Sequence, residues 1–380
     1  MGNKKVIAFY LPQFHTIPEN DKCWGEGFTE WTNTKKAVPL FEWHEQPKIP
    51  LDQNYYDLSD VNVMIKQAET AKAYGLYGFC YYHYWFKNGK KLLEKPVEQM
   101  LEDPGVDIPF CLCWANENWT RNWDGGNREI IVEQDYGQQD EWKKHFDYLL
   151  RFFKDKRYIV VDNRPLLIIY RPELIPCFNE MMKLFRESAI EAGFDGLIIA
   201  SQFPEIIFSE ERSDYDIDHF IKFQPGMSWW TRNESIKKSS LKERLKRLLK
   251  RSKIVREWVK KHKNKTEKNT LKNKKELQIF EYDELWDIIL HKEPFSEKMI
   301  SGGFTGWDNT ARNKNGTIVK GSTPEKFGRY FSQLLEKNSA LDMVFVNAWN
   351  EWAEGAYLEP DERYGYAYLE ELKNAIMKDH

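Results

Sequence analysis

Short apolar runs alternate with segments of helical period along most of the chain. Runs at 6–11, 78–84, 110–114, 166–170, 197–201, 220–223, 299–304 and 343–348 have the length and bounding turns of buried strands. Between them, and after the last, apolar residues recur at three- and four-residue spacing over 61–73, 92–101, 139–153, 176–192, 282–291, 323–337 and 366–378. Strands followed by helices or long loops imply a parallel sheet with right-handed crossovers. Eight such strands are the number that closes a (β/α)8 TIM barrel. An open doubly wound sheet is the rival, but no G-x-G-x-x-G follows the first strand and no G-x-x-x-x-G-K-[ST] occurs anywhere. The pattern therefore predicts an α/β chain built as one barrel over 1–380, with a basic helical insertion at 232–278 between strands 6 and 7.

Polar and aromatic residues cluster just past these strands. The first strand runs into Pro12-Gln13-Phe14-His15, the second into His83-Tyr84-Trp85, and the third into Trp114-Ala115-Asn116-Glu117. The fourth runs into Tyr170-Arg171, the seventh into Trp307-Asp308 and the eighth into Trp349-Asn350-Glu351-Trp352. In a barrel all these ends meet on one rim, where catalytic groups sit. Any one of these rings has a structural explanation as a strand cap, and recurrence at six strand ends favours an enzyme. Composition points the same way: 15 Trp, 19 Tyr and 23 Phe are more rings than a core needs, and aromatic clefts bind the flat faces of sugars or bases.

The net charge of −3 conceals two opposite parts. Residues 236–275 hold eighteen Lys and Arg against three acids, about +15, which leaves about −18 on the remainder. Leu241, Leu245, Leu248, Val255 and Val259 recur there at helical spacing among the basic residues, so the segment predicts a basic amphipathic helix with a Lys/Asn-rich tail. Such a helix either packs its apolar stripe on the barrel with its charges in water, or lies on an anionic membrane surface with Trp258 at the interface. Nucleic acid is not expected as a partner, because the segment lacks interleaved aromatics and a reading motif.

Five scattered cysteines without a C-x-x-C pair predict reduced, mostly buried thiols. No run approaches about 18 consecutive apolar residues, and the first apolar run is too short for a signal peptide. A cytoplasmic location is expected, with peripheral contact at the inner face of the cell membrane if the basic segment attaches there.

The segment from Asn347 to Pro360 is the densest in chemistry. Glu351 and Glu354 point to the same side if the chain makes one helical turn, and Gly355 permits a sharp exit. Two neighbouring acids push their pKa values apart, so one keeps a proton while the other is ionised. Glycosidic cleavage needs that asymmetry, and Trp349 and Trp352 are placed to stack on sugar faces.

Four motifs in order, Tyr10-Leu11-Pro12-Gln13-Phe14-His15, Trp24-Gly25-Glu26-Gly27-Phe28-Thr29-Glu30-Trp31, Trp114-Ala115-Asn116-Glu117-Asn118-Trp119 and Asn350-Glu351-Trp352-Ala353-Glu354-Gly355, resemble the WbsX family of O-antigen and capsule gene clusters. The chain is also similar to glycoside hydrolase family 99, (β/α)8 endo-α-mannosidases and endo-mannanases with an N-E-W-H-E-G segment. That resemblance implies Glu351 as the base on a sugar 2-hydroxyl and Glu354 as the acid/base, through a 1,2-anhydro intermediate with retention. Ala353 stands where those hydrolases have His. From strand-end position and chemistry, substrate binding is assigned to His15, Glu30, Trp31, His83, Trp85, Trp114, Asn116, Glu117, Tyr170, Arg171, Trp307 and Asp308, together with Trp349, Asn350 and Trp352.

The expected substrate is an oligosaccharide or lipid-linked glycan of cell-surface polysaccharide metabolism, with no cofactor and no metal. Water as acceptor gives hydrolysis and a sugar hydroxyl gives transglycosylation. A sugar-nucleotide-dependent glycosyltransferase is the alternative, but the D-x-D spacings at Asp214, Asp216 and Asp218 precede strand 6 instead of ending a strand. A non-catalytic glycan-binding barrel is the third class, and the intact glutamate pair argues against it.

Overall fold

Eight parallel strands close on themselves in the computed structural model, which describes residues 4–121, 129–202, 215–239 and 276–378. They are β1 (Lys5–Tyr10), β2 (Gly78–Trp85), β3 (Phe110–Trp114), β4 (Arg164–Ile169), β5 (Ile198–Ser201), β6 (His219–Ile221), β7 (Met299–Phe304) and β8 (Met343–Asn347). Each pairs with its sequence neighbour, and β1 pairs with both β2 and β8, so the sheet has no edge. The predicted (β/α)8 barrel is therefore the fold. The strands are buried on both faces, which is why they read as continuous apolar runs without alternation.

Parity along each strand decides what faces the axis. Phe9 of β1 packs inside, its ring 5.7 Å from Tyr82, 5.3 Å from Phe345 and 5.3 Å from Phe223. Cys113 donates to Gln202 at 2.9 Å and Gln202 donates to the Tyr82 hydroxyl at 2.8 Å, tying β2 and β3 to the end of β5. On the opposite parity Tyr10, Phe79, Tyr81 and Phe110 face the helices. Each fully buried Phe or Leu contributes roughly 1.5–3 kcal/mol. Gly302 of β7 meets Lys222 so closely that an added Cβ would lie 2.0 Å from the Lys222 carbonyl oxygen, a close approach that any larger residue would force apart.

The helices are α1 (Pro18–Trp24), α2 (Glu30–Lys36), α3 (Val61–Ala73), α4 (Glu94–Glu102), α5 (Gln139–Phe153), α6 (Phe178–Glu191), α7 (Gly226–Ser239), α8 (Tyr282–His291), α9 (Pro324–Leu335) and α10 (Ala367–Lys378). Local signals set their ends. The Asp60 side chain accepts from the Asn62 N–H ahead of α3, and Thr323 caps α9 with Pro324 in its first turn. The periodicity of α5 buries Trp142, Phe146, Leu149 and Phe153 against the barrel. α1 and α2 form where the pattern signals no helix; each is seven residues, and a Thr29–Thr32 capping box starts α2.

Strands on both sides of β7 in the sequence form a small separate sheet. Gln278–Glu281 pairs parallel to Thr317–Lys320, which pairs antiparallel to Trp307–Asp308. Past β8, Asn350–Glu351 pairs with Ala356–Tyr357 in a tight hairpin. Of the predicted basic segment 236–275, residues 240–275 lie outside the described residues, and the C-terminal end of α7 holds the rest. No helix among the described residues is long and apolar enough to cross a membrane. Cys80, Cys111 and Cys113 are buried, whereas Cys23 is half-buried and Cys177 exposed; all five are free thiols.

Candidate active site

The rim is organised by the hairpin after β8. Residues Trp352–Glu354 make one 3-10 turn and Gly355 leaves it with φ 61°, a left-handed conformation suited to glycine. That turn sets Glu351 and Glu354 on one side, as their spacing predicts, and both reach the same guanidinium. Arg312 donates from Nη2 to Glu351 at 3.2 Å and from Nη1 to Glu354. It also donates from Nε and Nη2 to one oxygen of Glu30, at 2.9 Å and 2.6 Å. Three carboxylates, from the start of α2 and from the hairpin after β8, thus converge on a single arginine from the loop after β7.

The electrostatics follow from burial. Glu30 is fully buried, and desolvation pushes its pKa up against the pull of Arg312. Burial raises Glu351 as well, with repulsion from Glu354 adding to it. Glu354 is also raised by burial, but Arg312 opposes this directly. Arg312 itself is held charged: burial works against its cation, and Glu30, Glu354 and Glu351 outweigh burial. One positive charge cannot neutralise three negative ones, so all three carboxyls are pushed up, and a proton in the cluster belongs to the coupled pair Glu351 and Glu354.

Around this cluster stand residues with open hydrogen-bonding capacity. Gln13, fully buried where β1 ends, has neither side-chain polar atom paired, and the second oxygen of Glu30 is likewise unpaired. The Gln13 carbonyl accepts from the Glu30 N–H at 3.0 Å, so the two are adjacent. Tyr82 and Tyr84 from the inner face of β2 have their hydroxyl pKa values raised by burial, with the Glu351 charge adding to it. Tyr170 is raised by burial, then by Glu117 and Glu354, which brings the end of β4 to the same rim.

The other predicted site residues divide into supports and neighbours. Glu117 receives a 2.7 Å bond from Arg171, which also donates to Glu173 at 2.5 Å. Asn116 clasps Arg171 through the latter's N–H and C=O, at 2.8 Å and 2.7 Å. Asp308 is occupied in holding His44, Gln46 and Thr310 at 2.8, 2.8 and 2.5 Å. The Leu40 N–H donates to His44 Nδ1, so Nε2 carries the proton toward Asp308 and the pair fastens the 40–46 loop to the segment after β7. Asn350 brackets both the N–H and the C=O of Leu11, at 2.8 Å and 3.0 Å, joining the hairpin to β1.

The tryptophans correct the expectation of a stacking platform. Trp349 packs on Phe79 at 5.1 Å, and Trp352 lies 3.9 Å from Tyr357 and donates to Glu359 at 2.6 Å. Both are about 1% exposed, so neither offers a face to a sugar. Trp31 is buried against Phe14 and Trp352 and donates to the Tyr56 carbonyl. His83, Trp85 and Trp114 point outward to α5: His83 meets His145 at 2.9 Å, and the Trp85 ring stacks on His145 at 4.7 Å. His15 turns back on the Pro12 carbonyl at 3.0 Å. Trp307 is half-buried, edge-on to Trp229, with its indole N–H unpaired. The D-x-D residues Asp216 and Asp218 both pair with Arg186 of α6, at the end of β6 opposite the rim. Among the described residues no cluster of His, Cys, Asp and Glu is arranged to hold a metal.

Arg312, Gln13 and Tyr84 are the participants the sequence reading omits. Arg312 sits in an aperiodic Asn/Lys-rich loop, where a lone arginine reads as solvated. Gln13 lies inside a noted motif but has no charge to draw attention. Tyr84 is hidden by parity, because β2 is buried on both faces.

These features define a class: (β/α)8 proteins whose C-terminal rim carries a buried, arginine-bridged set of glutamates. More particularly, the chain belongs to the WbsX family, since residues 6–372 match the family model described as Glycosyltransferase WbsX. Two curated relatives, each an uncharacterised protein WxcX of Xanthomonas campestris pv. campestris, from strains B100 and ATCC 33913, are 34% and 35% identical over 379 residues. The match takes in 98% of this chain and 50% of each relative, so the chain spans about half the length of the curated relatives it matches. Among solved structures, the GH99 endo-α-mannosidase of Bacteroides thetaiotaomicron superposes with a TM-score of 0.54 at 13% identity, covering 98% of this chain and 96% of that one. A glycoside hydrolase-like protein superposes with a TM-score of 0.59, also at 13% identity, covering 99% and 94%. At such identity the likeness is one of fold.

Proposed function

We propose that the chain is a carbohydrate-active enzyme that cleaves or transfers glycosidic bonds with retention, using Glu351 and Glu354. The observation that carries this reading is the bridging of both glutamates by Arg312, which makes their protonation states interdependent. In the proposed cycle the proton of the pair starts on Glu351, with Glu354 the anion stabilised by Arg312. A sugar entering between Arg312 and Glu354 removes that stabilisation, so the proton passes to Glu354. Glu351, now ionised, takes the proton of the sugar 2-hydroxyl as O2 attacks C1. Glu354 gives its proton to the departing glycosidic oxygen, leaving a 1,2-anhydro sugar. Water or an acceptor hydroxyl then yields its proton to Glu354 while opening that ring, and Glu351 returns its proton to O2. The unpaired polar atoms of Gln13 and Glu30 suit the hydroxyls of such a sugar.

Cell-surface polysaccharide is the proposed process and an oligosaccharide or lipid-linked glycan the proposed substrate. Glu351→Gln and Glu354→Gln should each reduce turnover at least a hundredfold while leaving the far-ultraviolet spectrum and melting temperature near those of the parent. Near-parental activity in both variants removes the mechanism. The family description favours a second reading, a glycosyltransferase using sugar nucleotides. Release of UDP or GDP from sugar nucleotides, dependent on Mg²⁺ or Mn²⁺ and insensitive to the two substitutions, would establish that reading instead.

A further inference from the structure

Beside the carboxylate cluster lies a groove of about 570 Å³ between α1, α2 and the loop after β7. Its walls include Trp24, Lys36, Arg121, Arg312, Asn313 and Lys314, and among the described residues no acid lines it. This is unexpected on a chain whose charge outside residues 236–275 is about −18. Arg312 is engaged by three glutamates and Arg121 meets Glu129 at 4.0 Å, whereas the exposed Lys36 and Lys314 have no ion-pair partner among the described residues. Trp24 adds a half-buried ring, stacked on Phe28 at 4.9 Å, whose indole N–H is buried without an acceptor. An aromatic face, a free N–H donor and cations together suit a sugar that bears a negative charge. The groove shares Arg312 with the catalytic cluster, so its occupant adjoins the bond being broken.

We infer that this groove is a subsite for an anionic group on the glycan, next to the scissile linkage. The inference rests on the proposed glycosidic reaction for its orientation, not for the binding itself. The anion is either the carboxylate of an acidic sugar or the diphosphate of a polyprenyl carrier. Both need cations that an otherwise acidic surface does not supply, and Lys36 and Lys314 supply them.

The test is equilibrium binding by the full chain at low and high salt. One pair of probes is a uronic-acid-containing oligosaccharide and the same oligosaccharide after carboxyl reduction; the other is a polyprenyl diphosphate oligosaccharide and its free glycan. Preference for a charged partner of about tenfold or more, lost at high salt and in Lys36→Ala/Lys314→Ala, supports the subsite, and the pair that shows it names the source of the charge. Lys36→Arg/Lys314→Arg should keep the preference, as should the control Lys183→Ala on the far face of α6. Equal binding of charged and neutral partners, no binding of either, or a preference untouched by the double alanine variant overturns the inference. Turnover of Glu351→Gln and Glu354→Gln separates the two ideas. Persisting turnover with charge-dependent binding sinks the reaction and spares the groove; lost turnover without such binding does the reverse.

Discussion

Arg312 carries more of the site than any other single residue. A buried guanidinium that faces three buried carboxylates cannot be removed quietly, because its loss leaves like charges together without a counter-ion. Arg312→Met should lower stability by roughly 3–5 kcal/mol, the usual cost of breaking a buried pair, and should abolish activity. Arg312→Lys keeps the charge but not the fork that reaches Glu30, Glu351 and Glu354 at once, so most stability should return while kcat stays low. A denaturant melt alongside a rate assay separates the two effects; full activity in Arg312→Lys would mean that charge alone suffices. The glutamates were legible in the sequence because their spacing, the glycine after them and the strand before them are local facts. Arg312 was not, because its meaning lies in partners 282 and 39 positions away.

At the scale of elements, the barrel strands were readable because burial on both faces makes each one a short, unbroken apolar run. The same uniformity hides which side faces the axis. In β2 the parity turns Tyr82 and Tyr84 inward and His83 and Trp85 out to α5, and nothing in a run buried on both faces records that choice. The short elements past β1, β7 and β8 were also unreadable, since two- to four-residue strands and seven-residue helices are made by tertiary contacts such as the Asp308–His44 bond. The basic segment poses its question at this scale too, and we propose that it attaches the chain to anionic membrane. Each Lys or Arg near such a surface contributes about 1 kcal/mol. Vesicles rich in anionic lipid should therefore sediment the full chain and release it as salt rises, while a chain lacking 240–275 stays in solution. Equal, salt-insensitive partitioning of both chains would refute attachment.

For the whole molecule, buried titratable groups set a dependence of stability on pH. Burial raises Glu293 and Glu359 to about 7 and pushes Glu351 up as well. A carboxyl whose pKa is higher folded than unfolded stabilises fully below its unfolded value, and that contribution is lost as pH rises through the folded value. Burial lowers His15, His83 and His145, which has the opposite effect below their unfolded value near 6.5 and none above it. Between about pH 6.5 and 8.5 the histidines no longer act, and the raised carboxyls should lower the melting temperature by several degrees. Glu359→Gln, which keeps acceptors for Trp352 and Tyr56 without a charge, should flatten that decline. A melting temperature level across this range in the parent would contradict the assignment.

The strand Gln278–Glu281 begins three residues past the last position of the basic segment, and it braces Thr317–Lys320, which braces Trp307–Asp308. Arg312 rides in the turn between those last two. A proposed membrane attachment of the segment would thus connect, through two strand pairings, to the loop that carries Arg312. Under the proposed attachment and the proposed reaction, where the chain is held and how readily Glu354 gives up a proton would then be coupled.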